Sequence, residues 1–198
     1  MNEITNYLNE VKEICDKLDK NEIQKFVNII KDLKGRLFII GVGGSAANAS
    51  HAANDFRKLC NIEAYAPTDN VAELTARTND EGWKYVFSEW LKESRLCSKD
   101  AILVFSVGGG NAEKQISENI IYALRLAKLV KAKIFGIVGR DGGYTKKVAN
   151  VCVVIPTVNE YLITPFVESF QAIIWHMLVF HPSLNINAGK WESIALKK

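Results

Sequence analysis

The chain contains only four cysteines, and their spacing provides neither a disulfide framework nor a metal-binding motif. Cys15, Cys60, Cys97 and Cys152 include no CxxC pair, which argues against a disulfide-rich secreted domain and against a zinc finger. We predict that these residues are reduced, mostly buried thiols of a cytoplasmic protein.

Long apolar runs are also lacking, since the longest are far too short to cross a bilayer. The first residues, Met1-Asn2-Glu3-Ile4, do not show the basic-then-apolar pattern of a secretory signal peptide. Neither sign of charge is in large excess: the net charge is +3, and lysine and arginine are spread along the chain. We therefore expect neither a membrane nor a nucleic acid as partner.

What the sequence does contain is an alternation of short apolar runs and helical patterns, which indicates parallel βαβ units in a doubly wound α/β sheet. Residues 2–33 form a helical hairpin that is punctuated by Asp19-Lys20-Asn21. Strands are expected near 36–41, 62–65, 101–106, 133–138 and 151–155. Helices are expected over 46–59, 70–77, 80–95, 111–131, 143–149 and 162–180. The 198 residues are expected to form a single domain with a C-terminal extension, 182–198, after the helix stop at Pro182.

Two of the predicted strands run into glycine-rich turns, Gly41-Val42-Gly43-Gly44-Ser45 and Ser106-Val107-Gly108-Gly109-Gly110. Glycine lets backbone N–H groups approach an anion closely, and the N-terminus of the following helix adds a positive dipole. The Ser45 hydroxyl supplies a further donor. A third loop, Gly139-Arg140-Asp141-Gly142-Gly143, has a similar composition. These loops predict a small phosphorylated ligand at the carboxyl edge of the sheet.

The first loop also fits a dinucleotide-binding fingerprint, Gly41-x-Gly43-x-x-Ala46, with Glu63 near the position of a ribose-binding acid. That alternative needs the catalytic residues of a dehydrogenase elsewhere, and none is evident in this chain. The other two glycine-rich loops fit a small polyanion or polyol better.

His51 and Asp55 lie four residues apart on the helix that begins at the first loop, so both side chains face the same way. At ~1.5 Å rise per residue they lie roughly 10–15 Å from the proposed phosphate site. That distance suits the far end of an extended sugar chain. The simpler alternative is a solvated helix face with a local His–Asp hydrogen bond.

Glu168 and His176 lie on a long apolar helix, where an unpaired carboxylate or imidazole is costly, so both need partners. The simpler alternative is a core histidine bonded to a backbone carbonyl, with a glutamate on a polar stripe beside Gln171. Their eight-residue separation corresponds to about 12 Å along the helix axis. One helix therefore brings both to one ion only with a bend or with help from a neighbouring subunit.

At these residues the chain resembles the sedoheptulose 7-phosphate isomerases (phosphoheptose isomerases) of the sugar-isomerase (SIS) domain superfamily. The shared features are the Gly41–Ser45 turn, His51 with an acid four residues later, Asn79-Asp80, the Ser106 loop, and Glu168 with a histidine eight residues on. The resemblance extends from about residue 2 to about residue 180.

The resemblance implies a three-layer α/β sandwich with a five-stranded parallel sheet, assembled as a homotetramer with active sites at subunit interfaces. It also implies a zinc site at His51, Asp55, Glu168 and His176, with Asp55 as base and His176 as acid. Substrate contacts are implied at Val42, Gly43, Gly44, Asn79, Asp80, Ser106, Val107, Gly108, Asn111 and Glu168, and the hydroxyl of Ser45 in the first turn is a further candidate.

The chain departs from the pattern of that family at several of these positions. Val42 replaces an asparagine, and Ser106-Val107-Gly108-Gly109-Gly110-Asn111 replaces serine-threonine-serine-glycine-asparagine-serine. Hydroxyl donors to phosphate are lost, so backbone N–H groups are expected to replace them. Asp55 stands for a glutamate and Glu168 for a glutamine, which leaves open whether Asp55 or Glu168 is the base.

The expected function is interconversion of sedoheptulose 7-phosphate and D-glycero-D-manno-heptose 7-phosphate through an enediol, for heptose biosynthesis. A carboxylate would take the proton beside the carbonyl and His176 would act as acid, while a divalent metal would polarise the carbonyl. Isomerisation of another sugar phosphate shares this chemistry. A non-catalytic sugar-phosphate-binding or protein-interaction SIS protein is the alternative from a different class.

Overall fold

The computed structural model describes residues 2–195, and its helices and strands alternate as the sequence predicts. The strands are β1 Leu37–Ile40, β2 Ala64–Tyr65, β3 Ala101–Ser106, β4 Lys133–Val138 and β5 Val151–Val154. The α-helices are α1 Glu3–Lys17, α2 Lys20–Lys31, α3 Gly44–Cys60, α4 Val71–Asp80, α5 Val86–Glu93, α6 Glu118–Leu129, α7 Gly143–Val148, α8 Ile163–Val179 and α9 Lys190–Ala195.

The five strands form one parallel sheet in the order β2-β1-β3-β4-β5. This confirms the predicted fold class. From β1 the chain first adds β2 on one side, and it then adds β3, β4 and β5 in turn on the other side. The switch in strand order therefore lies between β1 and β3. Ligands of doubly wound folds bind at the carboxyl ends of the strands at such a switch point.

Alternate residues of each central strand pack on opposite faces of the sheet, as the strand period of two requires. Leu37 and Ile39 belong to the core under α1, α2, α3 and α8, whereas Phe38 and Ile40 belong to the core under α5 and α6. The result is the expected three-layer arrangement, with a helical layer on each face.

The N-terminal hairpin is confirmed, and Asp19 accounts for its turn. The Asp19 carboxylate accepts hydrogen bonds from the N–H groups of Asn21 and Glu22, and so caps α2. Glu22, in the first turn of α2, accepts a hydrogen bond from the N–H of Cys152 on the edge strand β5 (2.9 Å). The hairpin therefore also satisfies a backbone donor on the open edge of the sheet.

Three local predictions were wrong. The helix expected from residue 111 begins at Glu118, because Asn111 and Ile116 pair as an isolated antiparallel bridge. The helix expected from residue 80 begins at Val86, after Gly82 and a short 3₁₀ turn. Cys15 and Cys97 are exposed rather than buried, while Cys60 is buried and all four thiols are free.

Within residues 2–195, no helix has both the length and the apolarity that a membrane span requires.

Asp100 anchors the amino edge of the sheet. Its carboxylate is 2% exposed and accepts hydrogen bonds from the N–H of Arg36 (2.8 Å), the Arg36 guanidinium (2.8 Å) and the N–H of Cys97 (3.0 Å). Burial alone would raise the pKa of Asp100, but the hydrogen bonds from Arg36 and Cys97 outweigh it and hold the pKa below its usual value.

We expect Asp100→Asn to lower the free energy of unfolding by about 2–4 kcal/mol at pH 7, because an amide nitrogen cannot accept these hydrogen bonds. A carboxylate with a lowered folded pKa stabilises the fold above its unfolded pKa of about 3.9, and the stabilisation is lost as pH falls through the folded value. The difference between wild type and variant in urea unfolding should therefore shrink below about pH 4.

The matched control is Glu13→Gln, which removes an exposed ion pair with Lys17 and should cost less than about 0.5 kcal/mol. An Asp100→Asn variant no less stable than this control would contradict the anchoring role.

Candidate functional site

The first glycine-rich turn places an unsatisfied hydroxyl at the start of α3. Ser45 is 1% exposed, and its Oγ has no hydrogen-bond partner among the described residues. A buried hydroxyl without a partner is costly. Gly43 has a φ of 64°, and a Cβ there would meet nothing within 4 Å, so the turn backbone faces open space. Together with the free N–H groups at the N-terminus of a 17-residue helix, Ser45 indicates an anion-binding position.

The second and third glycine-rich loops pack directly on each other. The carbonyl of Gly109 accepts hydrogen bonds from both the N–H (2.9 Å) and the hydroxyl (2.8 Å) of Thr145. A Cβ on Gly109 would overlap the carbonyl oxygen of Gly142, and a Cβ on Gly143 would overlap that of Gly108. Close backbone approach between loops is thus the reason for these glycines.

The loops after β1, β3, β4 and β5 enclose a cleft of about 750 Å³ at the carboxyl edge of the sheet. Six residues predicted to bind substrate line it: Val42, Ser45, Ser106, Val107, Gly108 and Asn111. Two cationic side chains also line it, Lys114 and Arg140, together with Asp141 and Glu160. The cleft therefore lies where the sequence predicted the phosphorylated ligand.

Helices α3 and α8 run side by side away from this cleft, and we call their line of contact the α3–α8 seam. A Cβ on Gly44 would overlap the Glu168 carboxylate. One turn further along, the amide of Asn48 donates to the backbone carbonyl of Glu168 (2.8 Å) and to the side chain of Gln171 (3.1 Å). The rings of His51 and Trp175 follow, with centroids 4.7 Å apart.

At the far end of the seam, His51, Asp55 and His176 form a cluster whose ligand atoms lie within 4.8 Å of one another. The carboxylate of Asp55 lies 3.8 Å from Nε2 of His51 and 3.9 Å from Nε2 of His176. These separations are too long for hydrogen bonds. Two ligands each ~2.1 Å from a metal ion lie at most roughly 4.2 Å apart. Both Asp55–histidine separations are within that limit, so Asp55 can share a divalent cation with either histidine.

The orientation of His176 is fixed by its own helix. Nδ1 lies 2.8 Å from the backbone carbonyl of Ala172, and since a carbonyl can only accept, Nδ1 carries the proton in that bond. The other nitrogen, Nε2, is left facing Asp55. Histidines that bind metals commonly donate their other ring N–H to a backbone carbonyl in this way. The half-exposed His51 and His176 open the cluster to solvent, while Asp55 is mostly buried.

Glu168 lies beside Gly44 and is not part of this cluster in the described chain. Helix α8 continues without interruption from Ile163 to Val179, so no bend brings Glu168 to His176. The sequence left two ways for Glu168 and His176 to reach one ion, a bend in the helix or a second subunit. The single chain that the structure describes has no such bend, so a second subunit is the way that stays open.

Asn79 and Asp80 are also outside the lining of the cleft. They lie exposed at the end of α4, where the Asn79 amide donates to Asp80 (2.7 Å). Neither residue lines the cleft. Their predicted contact with the substrate therefore stays a prediction.

Arg77, a few residues earlier on α4, is unavailable to an anion. Its buried guanidinium donates to Glu73, Glu81 and Glu93. Burial alone would lower the pKa of Arg77, but these three carboxylates hold it above its usual value. Arg77 is a structural cation that joins α4 to α5.

Glu63 does not support the dinucleotide alternative. It precedes β2 and thus lies at the amino end of that strand, opposite the edge that carries the cleft. Its carboxylate accepts a hydrogen bond from the Tyr65 hydroxyl (2.8 Å). An acid that binds ribose must stand at the carboxyl edge.

Asn48, Gln171 and Trp175 connect the two helices along the seam, and none of them was predicted from the sequence as a site residue. The sequence did contain a signal for two of them. Asn48 lies three residues before His51, and Gln171 lies three residues after Glu168, so each shares a helix face with a predicted site residue. The partner across the seam is set by helix register and could not be read from either helix alone.

No protein-family model matches the chain, but individual proteins do. It is 34% identical over 154 residues to the lincomycin biosynthesis protein LmbN of Streptomyces lincolnensis, covering 73% of this chain and 54% of that protein. The chain thus spans about half the length of LmbN. It is 32% identical over 164 residues to a phosphoheptose isomerase of Helicobacter hepaticus, covering 79% of this chain and 78% of that enzyme.

A solved structure agrees on the fold. Phosphoheptose isomerase GmhA from Neisseria gonorrhoeae superposes with a TM-score of 0.77 over 89% of this chain and 95% of that one, at 22% identity. The sequence likeness to the Helicobacter enzyme, over most of both chains, places the protein: it belongs to the phosphoheptose isomerase family, a family of sugar-phosphate isomerases.

Proposed function

We propose that the chain interconverts a ketose phosphate and its aldose, with sedoheptulose 7-phosphate and D-glycero-D-manno-heptose 7-phosphate as the pair. One observation carries the proposal: the α3–α8 seam joins the helix N-terminus that bears the unpartnered Ser45 hydroxyl to the His51, Asp55 and His176 cluster. The distance along α3, roughly 10–15 Å at ~1.5 Å per residue, suits an extended sugar with its phosphate at one end. Related proteins named phosphoheptose isomerase support the heptose as substrate.

The phosphate end is proposed to lie at Ser45 and Ser106. Ser45 brings a buried hydroxyl without a partner, and the Ser106 Oγ already accepts from the N–H of Gly109 (3.0 Å), which leaves its hydroxyl proton free to donate. Both side chains line the cleft. Charge-assisted hydrogen bonds to a phosphate are the strong kind.

The reacting carbons would then lie at the other end of the seam, beside Asp55. Asp55 takes a proton from C1 of the ketose, which generates the enediol, and returns it to C2. His176 gives a proton to O2 and receives the one on O1, so that protons balance and the aldose is formed. Asp55 suits the base better than Glu168 of the same chain, because Glu168 lies at the phosphate end.

His51, Asp55 and His176 would hold a divalent metal, for which zinc is our proposal, with Glu168 as a further ligand from a second chain. When bound, such an ion supplies a Lewis acid that polarises the substrate carbonyl. Because Nδ1 of His176 is bonded to Ala172, its Nε2 serves as metal ligand or as proton donor at one moment, but not as both.

We further propose that the chain is a single cytoplasmic domain that assembles as a homotetramer. Four free thiols are consistent with the compartment. Exposed apolar side chains on α1 and α8, among them Leu8, Ile173 and Met177, support burial against further copies. Multi-angle light scattering on the purified protein measures the assembly directly.

The test of the function is an isomerase assay on sedoheptulose 7-phosphate in ²H₂O, read by NMR, with and without a chelator. We expect aldose formation, deuterium at the reacting carbon, and loss of turnover after chelation that zinc restores. Ribulose 5-phosphate and fructose 6-phosphate test the sugar length. If no C5–C7 sugar phosphate turns over while one still raises the melting temperature, the chain is a binding protein instead.

Ser45→Ala should raise KM for the phosphorylated substrate at least about tenfold, with kcat within about threefold, because a hydrogen bond to a charged group contributes about 1.5–3 kcal/mol to binding. Steady-state kinetics measure the split. The control is Ser50→Ala on the same helix, whose hydroxyl is bonded to Asp69 and lies outside the cleft. Equal KM values for both variants would contradict the phosphate position.

His51→Gln should weaken zinc binding at least about tenfold, measured by titration calorimetry. His176→Gln separates its two roles: zinc lost with turnover identifies a ligand, and zinc retained without turnover identifies the proton donor. His181→Gln is the control, since His181 lies outside the cluster and accepts a hydrogen bond from Ser183. A His51→Gln variant that binds zinc as wild type does would rule out this metal site.

A further inference from the structure

Arg140 occupies an unusual backbone position at the mouth of the cleft. It follows β4 in the third glycine-rich loop and has a φ of 53°, which is uncommon for a residue other than glycine. Its side chain is exposed, lines the cleft, and makes no hydrogen bond or ion pair with any described residue. Arg140 is therefore a free guanidinium in a strained conformation at a ligand site, where such strain is often found.

The loop that carries Arg140 is held rigidly against the second loop. Tyr144 and Thr145 donate their N–H groups to the carbonyls of Gly110 (2.8 Å) and Gly109 (2.9 Å). The Gly109 and Gly143 backbones approach too closely for any side chain to come between them. The position of Arg140 relative to the Ser106–Gly110 turn is thus fixed by backbone contacts.

The stem of Arg140 lies over Gly108. A Cβ built on Gly108 would meet a single neighbour within 4 Å, the Cδ of Arg140, at 3.6 Å. That is an ordinary van der Waals distance, so a small side chain at position 108 would fit without displacing Arg140. The guanidinium accordingly extends from directly above the turn that is proposed to bind phosphate.

The turn itself has fewer donors than its glycines suggest. The N–H of Gly109 is bonded to Ser106, and the N–H of Asn111 is bonded to the carbonyl of Ile116 (2.9 Å). Val107 and Gly108 carry no hydroxyl. Backbone amides of this turn therefore replace the missing hydroxyl groups only in part, which leaves a place for a side-chain donor.

We propose that Arg140 is a phosphate-binding residue of this cleft that takes over from the hydroxyl groups absent at positions 107 and 108. This inference rests on the proposed function for the identity of the anion. A planar guanidinium offers two parallel N–H donors to a phosphate. The two carboxylates of the cleft do not neutralise it: Asp141 accepts from the N–H of Gly143 (3.0 Å), and neither Asp141 nor Glu160 forms an ion pair with Arg140.

The first measurement is the dissociation constant of inorganic phosphate, by titration calorimetry and without any sugar. Arg140→Met should weaken phosphate binding at least tenfold, and Arg140→Lys should restore part of it. The control is Lys147→Met, an exposed lysine on α7 that does not line the cleft; it should bind phosphate as wild type does.

The second measurement uses turnover. Arg140→Met should raise KM for the sugar phosphate at least tenfold with little change in kcat, and the double variant Gly108→Ser with Arg140→Met should recover part of the loss by returning a hydroxyl to the turn. Circular dichroism and melting temperature verify that each variant folds.

The outcomes separate the two proposals. If the wild type binds phosphate in an Arg140-dependent way but turns over no sugar phosphate, the proposed function fails and the assignment of Arg140 stands. If Arg140→Met folds and binds phosphate as tightly as Lys147→Met does, the assignment of Arg140 is wrong, whatever the turnover.

Discussion

The close packing of α3 on α8 is the contact on which the candidate site depends. On α3, Gly44 lies so close to the Glu168 carboxylate of α8 that a Cβ would overlap it, so the two helices approach closely at this point. Asn48 then reaches two acceptors on α8, which fixes the register of the two helices. With that register set, Asp55 must meet His176, and Glu168 must lie beside Gly44. A shift of one residue along either helix would separate all of these pairs.

The glycine-rich loops show two physical uses of the same residue. In the first loop, Gly43 leaves the backbone open to the cleft, where nothing would meet a Cβ. In the second and third loops, Gly109 and Gly143 are needed because two backbones touch. The composition is alike and the consequences differ. The first loop leaves its backbone open to the cleft, while the second and third loops are bonded to each other through the carbonyls of Gly109 and Gly110, which holds Arg140 in place.

The strands and the glycine-rich turns that follow them could be predicted, because both are marked by local sequence patterns. The apolar run of β3 is short, contains β-branched and aromatic residues and is followed by glycines, as is typical of a buried strand. The turn at Gly41–Ser45 is marked by its own residues. The segment after Asn111 could not be predicted, since its polar residues are compatible with a helix and a bridge to Ile116 decides the outcome. The partners across the α3–α8 seam depend on how two helices pack, which neither helix encodes alone.

Under the proposed function, selectivity for sugar length follows from the rigidity of α3. The phosphate position near Ser45 and the cluster at Asp55 lie on one continuous helix, so the distance between them cannot adapt to the ligand. A shorter sugar phosphate bound at Ser45 would place its carbonyl before the cluster, and a bound but unreactive complex would result. The fixed spacing thus selects among sugar phosphates by the position of the reacting carbon rather than by affinity. The residues Val107 and Gly108, which replace hydroxyl-bearing residues of the family, can therefore alter phosphate binding without altering which carbon reacts.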